Sequence, residues 1–161
     1  MNKGTLSLPD NPEEIFPRNQ AALEARIVHD IMCGAGGILV WWWGTFDGRC
    51  MKAFETGTRL GANYGDIMRQ GTLGLKKVGI SDEFYLLTAE NNRGKLVCLV
   101  NTSFVCEDIV TSAAAVLKEL PEKTIILNVL SGKTETLEDI KKRLESTYKS
   151  GNVSLWFFAK K

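Results

Sequence analysis

The sequence predicts an α/β fold: a single domain with a mixed β-sheet and flanking helices. Three observations lead there. Apolar runs of strand length recur at 36–44, 83–88, 95–100, 124–130 and 153–158, most of them fenced by turn residues. Between them lie segments with helical spacing, such as Ile109, Val110, Ala113, Ala114, Leu117 and Leu120. The chain has 161 residues with 44% hydrophobic content, enough for one sizeable core.

The elements follow in order. Residues 1–18 are polar, with Pro9, Pro12 and Pro17, and read as a flexible arm; the domain proper is 19–161. Asn19 is a suitable N-cap for a helix whose apolar stripe is Leu23, Ile27 and Ile31, with Val28 and Met32 beside it. Cys33-Gly34 should end that helix. The stretch 36–44 carries Trp41, Trp42 and Trp43 and is apolar on both faces of a strand. The segment 45–48 reads as a turn and 49–55 as a returning strand; a crossover helix over 50–60 is the alternative. Residues 57–79 hold six glycines and read as either a functional loop or a mobile one, with a short helix over 64–70 that turns Ile67 and Met68 inward.

The clearest hairpin joins strands 83–88 and 95–100 across Glu90-Asn-Asn-Arg-Gly94. A helix over 107–120 follows, ended by Pro121. Its acids Glu107 and Asp108 fall in the first turn and Lys118 in the last, which suits the helix dipole. Strand 124–130 comes next. Thr136 with Asp139 three residues on is close to a capping box for a helix whose inner face is Leu137, Ile140, Leu144 and Tyr148. Ser150-Gly151 stops it before the last strand, 153–158.

Charge and composition exclude several functions. Net charge is +1 with acids and bases interspersed, so neither a nucleic-acid partner nor a basic membrane patch is expected. No segment is long enough to span a membrane. Residues 1–17 have no apolar core and include Glu13 and Glu14, unlike a secretory or transit peptide. A cytoplasmic location is expected, with the nucleus also open. Cys33, Cys50, Cys98 and Cys106 form no C-x-x-C pair, and His29 is the single histidine. Buried thiols and no metal or other cofactor are expected.

Few residues point to chemistry. Ser131-Gly-Lys-Thr134 has the end of a phosphate loop, but Leu127 stands where its first glycine is needed. Cys33-Gly-Ala-Gly-Gly37 runs from helix to strand, the reverse of the order that offers a helix N-terminus to an anion. Cys33 and His29 stand four apart, close enough for a thiol–imidazole pair. The acid pairs Glu13-Glu14 and Glu107-Asp108 give no sign of acid–base work. The tryptophans say more. Trp41 to Trp43 and the run Trp156-Phe157-Phe158 supply more aromatic surface than one core layer needs, and Trp dominates binding hot spots. Trp41, Trp43, Trp156 and Phe158 are therefore the expected protein-binding residues.

The hairpin Phe84-Tyr-Leu-Leu-Thr88 to Leu96-Val-Cys-Leu-Val100, the step through Phe104-Val-Cys-Glu-Asp108 into a helix, and strand Thr124 to Leu130 resemble the proteasome assembly chaperones. The resemblance implies a non-enzymatic protein-binding module, in a heterodimer with a second chaperone, acting on proteasome α-subunits. Those chaperones often end in a hydrophobic residue, a Tyr and one final residue; this chain reads Phe158-Ala-Lys-Lys161, so docking between α-subunits is not implied. The hairpin-then-helix plan is also similar to profilin-like and roadblock-like folds, which implies an adaptor for actin or a small GTPase. The rival class is a cysteine-dependent enzyme with Cys33 or Cys50 as nucleophile.

Overall fold

The computed structural model describes residues 12–37, 48–80, 82–103, 110–111, 113–120, 126–145 and 147–160, with side chains in the first helix from residue 20 onward. Two long helices come first, α1 (Pro12–Met32) and α2 (Gly48–Gln70). Strands β1 (Thr72–Lys77), β2 (Phe84–Glu90) and β3 (Gly94–Asn101) follow. Then come α3 (Ala113–Glu119), β4 (Ile126–Asn128), β5 (Thr134–Glu135), α4 (Leu137–Leu144) and β6 (Val153–Ala159). The strands form one sheet in the order β1-β2-β3-β6-β4-β5. The α/β class with flanking helices holds. Where a mixed sheet was expected, every described pairing is antiparallel.

The sheet is the middle of three layers. Side chains alternate across a strand, so β3 sends Leu96, Cys98 and Val100 to one face and Val97 and Leu99 to the other. The first face packs against Ala25, Val28 and Met32 of α1 and Leu60, Ile67 and Met68 of α2. The second meets Val116 of α3 and Ile140 and Leu144 of α4. This explains why β3 and β6 are apolar almost throughout rather than alternating.

Several elements form where local chemistry puts them. Asn91 Oδ1 accepts from the backbone N–H of Arg93 at 2.9 Å and of Gly94 at 3.3 Å, which closes the β2–β3 hairpin. The capping box of α4 is complete: Asp139 N–H donates to Thr136 Oγ1 at 3.1 Å, and Thr136 N–H donates to Asp139 Oδ2 at 2.9 Å. Tyr148 is buried as expected, but it lies beyond the end of α4.

Three expectations change. Residues 12–18, expected in the arm, are helical: α1 opens on Pro12, which at the first position sacrifices no intrahelical bond, and carries Pro17 in its second turn. Residues 49–55 are not a returning strand; they open α2, and the crossover-helix alternative is the one realised. Residues 57–70, read as a glycine-rich loop, continue α2, and 72–77 are a strand. The reason is tertiary. A Cβ on Gly57 would stand 2.6 Å from Ile27 Cγ2, so the glycine lets α2 approach α1. Glycine costs about 1 kcal/mol in a helix, and the burial of Ala53, Leu60, Ile67 and Met68 offsets it. The expected strand 36–44, residues 107–109 of helix 107–120 and the start of strand 124–130 fall largely outside the described residues; Val110 and Thr111, expected in that helix, precede α3, and Thr111 N–H donates to Val78 O at 2.8 Å instead.

Candidate functional site

The sheet has an outer strand, β1, whose only described pairing is with β2. An unpaired strand edge offers backbone N–H and C=O groups to another chain. On β1 that edge is also apolar. Leu73 is 43% exposed and Leu75 53%. They stand opposite Ala89 and Leu87, both buried under α1 and α2, so the two leucines continue that face of the sheet outward into solvent. Lys76 and Lys77 close the strand at its far end.

A groove lies between α1 and α2. Its volume is about 360 Å³, and its lining includes Ile27, Ile31, Phe54 and Met68, with Gly57, Gly61 and Gly65 along one side. Those glycines recur at helical spacing and share a face of α2. Gly34 links groove and edge: a Cβ there would lie 3.4 Å from Leu73 Cδ1 and 3.8 Å from Met68 O, and its φ of +91° is one that glycine adopts without strain.

Ion pairs hold the edge in place. Glu119, at the end of α3, accepts from Lys95 Nζ at 2.7 Å and from Lys76 Nζ at 3.0 Å. The hydrogen bonds from Lys95 and then Lys76 hold its carboxyl below the usual range despite partial burial. Lys77 Nζ meets Asp82 at 2.6 Å.

The tryptophan expectations divide. Trp41 and Trp43 lie outside the described residues. Trp156 is 0% exposed and Phe158 5%, both packed in the layer under α3 and α4. Neither offers a face to a partner from this chain. Trp156 Nε1–H donates to Glu135 Oε2 at 2.8 Å, so its polar end is satisfied inside. Glu135 Oε1 accepts from Arg143 at 2.7 Å and from Asn128 at 2.8 Å. Burial pulls this carboxyl up, but the bonds from Trp156, Arg143 and Asn128 together hold it below the usual range. This is a structural cluster: three donors consume the carboxylate.

The other sequence candidates resolve as follows. Ser131-Gly-Lys-Thr134 makes the tight β4–β5 turn, with Gly132 at φ +70° and its N–H bonded to Asn128 O at 2.9 Å. Cys33 is exposed, Cys50 half-buried and Cys98 buried; Cys106 is outside the described residues. Among the described residues no group of three or more His, Cys, Asp or Glu could hold a metal ion, and no helix is long and apolar enough to cross a membrane. The β1 edge was missed because 57–79 read as a loop. The Leu73-x-Leu75 alternation was its one sequence signal. Compared with known proteins, the chain matches no family model, no curated protein and no solved structure.

Proposed function

We propose that this chain is a non-enzymatic protein-binding module that receives an extended apolar segment of a partner along the outer edge of β1. The observation that carries the reading is that edge itself: unpaired among the described residues, with Leu73 and Leu75 exposed on one face. In strand addition the backbone supplies affinity and alternate side chains supply register. The two leucines, two residues apart, fit that role.

Within this class the partner is the second subunit of a heterodimer, and the client is the proteasome α-subunit, whose apolar patches the pair covers until assembly. The support for that finer reading is the order of hairpin, helix and strand in the sequence. Trp41 and Trp43 are the additional contact residues it draws on; Trp156 and Phe158 belong to the core and are left out of the surface.

The test is affinity purification of the tagged chain from its own cells with mass spectrometry, beside Leu75→Lys and Trp43→Ala. Proteasome α-subunits and a second chaperone, recovered with the wild type and lost with Leu75→Lys, are expected. Actin or small GTPases with the same dependence would move the reading to the adaptor class. Partners indifferent to Leu75→Lys, or none at all, would overturn it.

A further inference from the structure

At the C-terminal end of α1, His29 touches both Asp30 beside it and Cys33 just past the helix. Cys33 follows the last residue of α1, and its N–H still donates to His29 O at 2.9 Å, which keeps the two side chains on one face. Cys33 Sγ lies 3.8 Å from His29 Nε2. His29 Nδ1 lies 2.9 Å from Asp30 Oδ1. An ionised carboxylate can only accept, so Nδ1 carries the proton and Nε2 turns a lone pair towards the thiol. Tyr85 of β2 packs against the imidazole, ring centroids 5.0 Å apart and tilted by 46°. The ring is thus held from two sides, while Cys33 itself is exposed.

The charges around the pair decide how it can react. Burial and then the Asp30 charge push the Cys33 thiol up, so at neutral pH it carries its proton. A standing thiolate is therefore not the reactive form. A base that removes the proton as the new bond forms is what this thiol needs, and His29 is within reach. The imidazolium produced would face Asp30 and the carbonyl end of α1, both of which favour a cation. The same two features repel an approaching anion. Among the described residues, the titratable and charged groups near the pair include Asp30 and, at helical spacing, Arg26 on α1, Tyr85 on β2 and Cys98 on β3.

We propose that Cys33 is a nucleophilic modification site for uncharged α,β-unsaturated carbonyl compounds, with His29 as its base and Asp30 as a positioning residue. The sulfur electron pair forms a bond to the β-carbon while the S–H proton passes to Nε2. The π pair of the carbon–carbon double bond moves towards the carbonyl, and the α-carbon then recovers the proton from Nε2. Nothing leaves, and no oxidant or reductant is required. Cys98 is excluded from this chemistry by complete burial. The inference does not rest on the proposed β1 interface.

Acrylamide is the probe, applied to the full chain between about pH 6 and pH 9, with adducts at each cysteine counted by peptide mass spectrometry. At pH 7, Cys33 in the folded chain is expected to react about tenfold faster than in the urea-unfolded chain, a modest share of what a positioned base can give. The rate should fall towards the low end of that range. His29→Gln should remove the advantage and its low-pH limb, and Asp30→Asn should reduce it severalfold. Neutral iodoacetamide should be preferred over iodoacetate by more in the folded than in the unfolded chain. A folded rate no higher than the unfolded one, or a His29→Gln rate equal to wild type, would overturn the proposal. The folded-to-unfolded comparison and the charge preference need no variant, so a substitution that fails to fold leaves the test decisive.

Discussion

At the scale of single residues, Trp156 shows how an aromatic that looks like a contact residue becomes a core residue. Its ring fills the layer under α3 and α4, and its N–H is taken by Glu135. Trp156→Phe keeps most of the apolar volume and removes one donor from a partly buried carboxylate. A loss of about 1.5–3 kcal/mol, typical for a hydrogen bond to a charged group, is expected in urea unfolding. Glu135 also sets a pH dependence. Its carboxyl is held below the usual range in the folded chain, so its contribution is present above the unfolded value, about 4.3. It is lost as pH falls through the depressed folded value. Stability measured from pH 6 downward should drop across that window, and Glu135→Gln should flatten part of the drop. An identical slope in the variant would remove Glu135 from the account. The sequence announced Trp156 as apolar and strand-borne. It held no sign that Glu135, 21 residues earlier, would cap the indole, because that meeting depends on the pairing of β4 with both β5 and β6.

At the scale of elements, α2 is the instructive case. Gly57, Gly61 and Gly65 look like loop punctuation, and a loop reading follows from glycine's low helix propensity. The packing of α2 on α1 overrides it. Two of the glycines that line the groove then differ in a testable way. A Cβ at Gly57 would press on Ile27 and Ile31, whereas one at Gly61 meets nothing within 4 Å. Gly57→Ala is expected to cost about 1–3 kcal/mol through overpacking, despite the better propensity of alanine. Gly61→Ala is expected to gain up to about 1 kcal/mol. Thermal unfolding of both variants checks the contrast, and equal effects would mean that the α1–α2 contact does not govern the helix. The β2–β3 hairpin and α4 were legible because their signals are local: Asn91 closes the turn, and Thr136 with Asp139 caps the helix within four residues.

At the scale of the whole molecule, β3 and β6 join the two cores through one sheet, with side chains of both strands on each face. Neither helical layer has a core without the sheet. Leu99→Ala, on the α3–α4 face, and Leu96→Ala, on the α1–α2 face, are each expected to cost about 2–5 kcal/mol. Far-UV circular dichroism and tryptophan fluorescence should report one coincident transition in each variant. Two separated transitions would show that the layers unfold independently.

By itself the sequence determined the class of fold, the β2–β3 hairpin and the cap of α4. These rest on alternation, turn chemistry and capping within a few residues of chain, where local backbone preference and apolar patterning agree. Only the tertiary structure decided that Gly57 belongs to a helix, that Trp156 points into the core and that β1 stands at an edge. Each depends on what covers a face or an edge, and the covering group comes from a distant part of the chain: Ile27 for Gly57, Glu135 for Trp156, and for β1 the strand order of the sheet. A sequence window carries the propensity of its own residues. Burial and strand order are properties of the pairing between windows, and only the folded chain contains them.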